Sequence, residues 1–177
     1  MNDTLSPATS ATNAANPANA TPEAKKRPER PKSSRRRSRE FALQGLYEWL
    51  VTRSETSVIS AHMREQDDFG KCDAAHFDAL LEGCIAQAPE LEALMRRHID
   101  RRLQDLSPVE HGVLLIGLFE LQNFVAIPYR VAINEAVELA KAFGGTDGHK
   151  YVNGVLDRTA ADLRPEEVQA QRQQRGG

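Results

Sequence analysis

The chain has 177 residues, 40% of them apolar, and a net charge of −2, enough for one compact domain or two small subdomains sharing a core. The charge is unevenly placed: residues 1–39 carry nine lysines or arginines against three acids (+6), and the remainder carries fourteen against twenty-two (−8), which suggests a polyanion contact confined to one end and a different partner for the rest. No apolar run approaches the ~18–20 residues that span a bilayer, no signal peptide opens the chain, and Cys72 and Cys84 form no ligand or redox motif, so a cytoplasmic protein with reduced thiols and no membrane contact is expected.

Residues 1–33 are rich in Ala, Asn, Thr, Ser and Pro and carry no aromatic residue. Such a segment buries too little apolar surface to offset its ordering entropy and is expected to be a disordered polar and basic extension. From Ser34 the period becomes helical, with Leu43, Leu46, Tyr47 and Leu50 at i, i+3, i+4 and i+7 and Ser33 or Ser34 as N-cap. A weaker helix is predicted over Thr56 to Gln66, followed by a loop through DDFGKCD. Phe77, Leu80, Leu81, Cys84 and Ile85 form the next stripe. Pro89 interrupts it, and Leu91 to Leu103 resume it.

Ser107-Pro108-Val109-Glu110 reads as a capping box with proline at N1, opening a helix that is apolar over most of its circumference and therefore central. Pro128 begins the following helix, whose Ile133, Ala136, Val137, Ala140 and Phe143 form one face and which Gly144-Gly145 stops. Thr146 or Asp147 caps a last helix through Tyr151, Val152, Val155 and Leu156, and the tail after Arg164-Pro165 is expected to fray. The pattern is all-α, with six or seven helices.

The five histidines are scattered, and GxSxG, HExxH and a true P-loop are all missing, so no catalytic activity, cofactor or metal is expected. Two stretches carry other chemistry. Ser34 to Leu50 sets four arginines directly against the apolar stripe. Cations in a first helical turn oppose the helix dipole by roughly 0.3–1 kcal/mol each when exposed, which an anion would relieve. The choice here is between a solvated arm and a phosphate-binding helix start, and the second is the better reading. GGTDGHKYVNG places glycines, a cap, a cation and an aromatic at a helix N-terminus, which suits a phosphate and a stacked base. On composition alone, a plain interhelical turn with Tyr151 packed inward is favoured there.

Arg35-Arg36-Arg37-Ser38-Arg39-Glu40 with Ala42, Gln44, Leu46 and Tyr47, then PYRVAINEAVELAK from Pro128, then Phe143-Gly144, Asp147, His149-Lys150 and VNGVLD from Val152, together resemble the NusB family of bacterial transcription antitermination factors, in order and register from about Arg35 to Arg164. The resemblance implies an all-α, NusB-like fold of about seven helices. It would comprise two small helical subdomains, about 34–104 and 105–164, within a helical domain over 34–165, with 166–177 as a flexible tail. It implies a non-enzymatic protein that binds single-stranded RNA of the boxA type together with the ribosomal protein NusE, within an RNA polymerase antitermination complex acting on rRNA operons. Carried over, Arg35, Arg36, Arg37, Arg39, Asp147, His149, Lys150 and Tyr151 would meet RNA, and Tyr47 and Glu110 would face NusE.

The sequence departs from the family pattern at Gly45, where alanine is usual, at Leu115, where a basic residue is common, and at His98, where an aromatic is common. The minimal pattern has no counterpart to residues 1–33. Two other readings are an RNA-binding module of the kind attached to rRNA cytosine methyltransferases, which would require a methyl-donor domain downstream of Gly177, and a helical protein–protein module without RNA binding.

Overall fold

The computed structural model describes residues 32–175, and the expectation of disorder before Lys32 lies outside them. Every regular element among the described residues is helical: α1 (Ser34–Thr52), α2 (Thr56–Arg64), α3 (Ala74–Ala86), α4 (Ala88–Arg96), α5 (Pro108–Asn123), α6 (Tyr129–Phe143), α7 (Gly148–Leu163) and α8 (Pro165–Arg175), with short 3-10 turns at Phe69–Lys71 and Leu103–Asp105. None of these helices is long and apolar enough to cross a membrane.

Three helix starts are set by side-chain caps, those of α1, α3 and α5. The Ser33 hydroxyl accepts from Arg36 N–H at 3.2 Å, and Asp73 does the same for His76 at the start of α3. The predicted capping box is formed in full: Ser107 Oγ accepts from Glu110 N–H at 3.1 Å, and Glu110 Oε2 accepts from Ser107 N–H at 3.1 Å.

As its all-round apolarity requires, α5 is central, packing against α1, α3 and α4 as well as α6 and α7. Its Val113, Leu114, Leu115, Ile116 and Leu118 are fully buried. Each such side chain contributes roughly 1.5–3 kcal/mol. Leu115 is therefore a core residue with no reach to a surface partner. Close approach of the helices around α5 rests on missing side chains. A Cβ on Gly83 would fall 2.2 Å from the Phe119 ring, and one on Gly45 would fall 2.9 Å from Leu81 Cδ1.

The structure corrects several expectations: the described residues hold eight helices where six or seven were expected, and the stripe expected to run from Leu91 to Leu103 leaves the helix after Arg96. The loop through DDFGKCD is a folded turn, because Phe69 inserts between Phe41 and Phe77 with ring centroids 5.2 and 5.0 Å away. Pro89 opens α4 and does not merely interrupt a helix, since proline fits the first turn. The tail continues as α8, where Pro165 opens the helix, Val168 is buried, and Glu167 accepts from Tyr129 N–H at 2.9 Å.

A further device was not visible in the sequence. Arg164 is buried, and its guanidinium donates to the carbonyls of Glu120, Leu121, Phe124 and Ile127 at 3.1, 2.8, 3.0 and 2.6 Å, capping the end of α5 with a cation. At the other extreme of the backbone range, Arg53 ends α1 at φ 58, the left-handed region that glycine usually fills.

Candidate nucleic-acid interface

The first turn of α1 is pinned before any ligand arrives. Ser38 is buried and its hydroxyl donates to Asp73 O at 2.7 Å, while Asp73 N–H donates to Ser34 O at 3.3 Å, clamping α1 to the start of α3. Arg39 fixes the opposite side. It is 4% exposed, and its Nε lies 3.0 and 3.1 Å from the two oxygens of Glu120, its Nη2 2.9 Å from Glu120 Oε1 and its Nη1 3.4 Å from Glu135 Oε2. The fork thus joins α1 to α5 and α6. This corrects the expectation for Arg39, whose guanidinium does not emerge beyond the core edge and has no face left for a phosphate. The reason is energetic: a buried cation needs paired carboxylates, and Glu120, with no exposure, needs the cation in return.

Arg35, Arg36 and Arg37 stand outside this clamp. Arg35 is exposed with Asp73 Oδ2 at 3.7 Å from its Nε, and Arg36 reaches Glu138 Oε2 at 3.5 Å and Glu40 Oε1 at 4.0 Å. Glu40 is also taken by Lys32 at 2.7 Å. Arg37 has no carboxylate within ion-pair distance among the described residues. The Arg35–Asp73 and Arg36–Glu138 pairs, at 3.7 and 3.5 Å and open to solvent, are worth about 0–1 kcal/mol each and yield readily to a phosphate. Glu138 is held below its usual carboxylate range first by the Lys141 hydrogen bond and then by nearby charge, including Arg36.

The α7 start forms a second group. Asp147 occupies the N-cap position, but its side chain makes no cap bond and instead pairs with Lys150 Nζ at 2.9 Å, both groups being exposed. His149 is half-buried. Tyr151 is half-buried as well, with the Arg101 guanidinium 4.0 Å from its ring centroid, so one ring face carries a cation. Its hydroxyl is buried without a hydrogen-bond partner. Burial raises the phenol's pKa, with Asp100 adding to the rise from outside hydrogen-bonding geometry. Tyr151 therefore satisfies parts of both sequence readings. His98 turns away from such a role, bonding Asp162 at 2.8 Å.

A third group is apolar. Tyr47 is 47% and Phe143 41% exposed, and with Leu43, Gln44 and Val109 they line a hollow of about 170 Å³. Phe143, expected on the buried face of α6, is at the surface because it is the helix's last residue. Glu110 adjoins Val109, and its Oε1 lies 3.3 Å from where a Cβ on Gly148 would sit, so the apolar group and the α7 start share an edge.

The sequence and the fold both have matches among known proteins. The chain is 58% identical over 143 residues to the transcription antitermination protein NusB of Bordetella pertussis, covering 78% of this chain and 93% of that protein. The structure of T. maritima NusB superposes with a TM-score of 0.66 at 28% identity, covering 78% of this chain and 99% of that one. A complex of antitermination factors NusB and NusE with dsRNA contains a chain of the same fold, with a TM-score of 0.66 at 22% identity, covering 73% of this chain and 97% of that one. A sequence model of the NusB family matches residues 36–161, from Arg36 to the last turn of α7. With the arginine turn, the central capped helix and the α7 start all inside that match, the chain belongs to the NusB family.

Proposed function

We propose that this chain is a transcription antitermination factor that binds boxA-type RNA through Arg35, Arg36 and Arg37 and through the Asp147–Tyr151 turn. Tyr47 and Glu110 face the ribosomal protein NusE, within an RNA polymerase antitermination complex on rRNA operons. The observation that carries this reading is the run of cations, Arg35 exposed and Arg36 and Arg37 half-buried, on a helix start held rigid from behind by Arg39, Glu120 and Ser38. A preorganised cationic turn spends little ordering entropy when a phosphate arrives. Arg101, stacked on Tyr151, adds a cation where a splayed base would lie. Membership of a family whose curated relatives are antitermination proteins supports the same reading.

The shared edge between Glu110 and Gly148 gives a route for coupling, and any gain in RNA affinity from NusE must appear equally in NusE affinity. A gel shift with boxA-type RNA, single-stranded and as duplex, with and without purified NusE, tests the assignment. The single strand binds, and NusE tightens it. Glu110→Arg abolishes the NusE effect while the helical circular-dichroism signal persists, because Ser107 Oγ caps the backbone of residue 110 whatever its side chain. Absence of any RNA shift in the wild type contradicts the proposal.

A further inference from the structure

A second hollow, of about 310 Å³, lies between the end of α1, α4 and the start of α5. Leu50, Leu106 and Pro108 give it apolar walls, and Arg53, Arg96 and His111 converge on it. His111 is 9% exposed and its Nε2 makes no hydrogen bond: Glu92 Oε1 lies 3.1 Å away but off the N–H direction. Arg53 occupies a left-handed position for which glycine is better suited. Its guanidinium rests 4.5 Å from the Trp49 ring centroid with no carboxylate partner among the described residues. Glu92, the one acid in the wall, is already shared with Arg96 at 3.7 Å. The hollow adjoins the Tyr47 face, since Leu50 lies one turn beyond Tyr47 and Pro108 precedes Val109.

We infer that this hollow receives an acidic side chain of the protein that docks on the Tyr47 face, its carboxylate bridging Arg53 and His111. The inference rests on the partner face proposed above and adds what that partner must present: an Asp or Glu beside its apolar contact. The charge balance supports it, with two arginines and an imidazole set against one carboxylate already engaged. Apolar walls strengthen a charge-assisted hydrogen bond by excluding water.

The charged groups facing His111 are Glu92 and Arg96 from α4 and Arg53 from the end of α1. Burial first, then the two arginines, hold the free imidazole below its ordinary pKa against the pull of Glu92. The ring is therefore neutral near pH 7.5 until a second carboxylate arrives. Occupation favours the imidazolium, so docking takes up a proton, and affinity rises as pH falls toward the His111 range.

Calorimetry of NusE binding at pH 7.5, in two buffers of different ionisation enthalpy, tests this on the full chain. Wild type takes up a proton. His111→Gln loses that uptake, and Arg53→Gly, which suits φ 58 and keeps the fold, weakens binding roughly tenfold. Unchanged affinity and unchanged proton uptake in both variants overturn the inference. If wild type does not bind NusE at all, the partner-face reading fails by itself, and the hollow is then judged by the His111 ring resonance titrated with N-acetylglutamate or with inorganic phosphate. An upward shift with N-acetylglutamate in wild type, absent in Arg53→Gly, upholds the carboxylate site. No shift, or an equal one with phosphate, overturns it.

Discussion

Arg39 and Asp147 both belong to motifs that resemble an RNA-binding surface, and their surroundings differ: one is enclosed by carboxylates, the other is an exposed carboxylate beside a lysine. Arg39 is enclosed by Glu120 and Glu135, so truncating it strands a buried carboxylate. Arg39→Ala should cost about 3–5 kcal/mol in denaturant unfolding. A loss under 1 kcal/mol would mean the pair is not the clamp described. Asp147 sits in the turn proposed to face RNA, as an exposed carboxylate that occupies Lys150. Asp147→Asn removes a repulsive charge and releases that cation. RNA affinity should rise several-fold at low salt, and a fall would instead make the carboxylate a direct acceptor for a base or ribose.

At the scale of elements, the position of α1 depends on how closely α3 and α5 approach behind it. Gly83 and Phe119 set that distance, with the ring edge where a Cβ would be. Gly83→Ala gains up to ~1 kcal/mol of helix propensity and loses about 1–3 kcal/mol to overpacking, so a net destabilisation of ~1–2 kcal/mol is expected from thermal or denaturant unfolding. A stabilised variant would show that Phe119 can rotate away freely. Arg164 performs a related service at the far end of α5, satisfying carbonyls that the helix leaves open and seating α8 through Glu167 at 3.2 Å.

Across the whole molecule, the helical periods, the capping box at Ser107 and the glycine stop after Phe143 were legible because they are local: three or four neighbouring residues determine each. The charge asymmetry likewise marks one end for a polyanion, the end carrying the arginines of α1. What sequence could not disclose were pairings across 40 to 100 positions. Arg39 is chemically identical to Arg36 in sequence, and only the fold brings Glu120, 81 residues away, to one of them. Arg164 meets α5 in the same fashion, 43 residues from Leu121. Tyr47 and Phe143 satisfy the apolar stripe yet lie at its rim, which periodicity cannot separate from its centre.

The central claim is that Arg35, Arg36 and Arg37 hold RNA phosphates from a turn that Arg39 keeps in place. The most direct test is the salt dependence of single-stranded RNA affinity, where each neutralised phosphate contributes about −0.7 to the slope of log K against log salt. Replacing Arg35, Arg36 and Arg37 together by Ala should weaken binding and flatten the slope by about 2, with the unfolding midpoint little changed because none of the three is buried and the ion pairs they make are long. A triple variant that retains both the wild-type affinity and the wild-type slope would contradict the account.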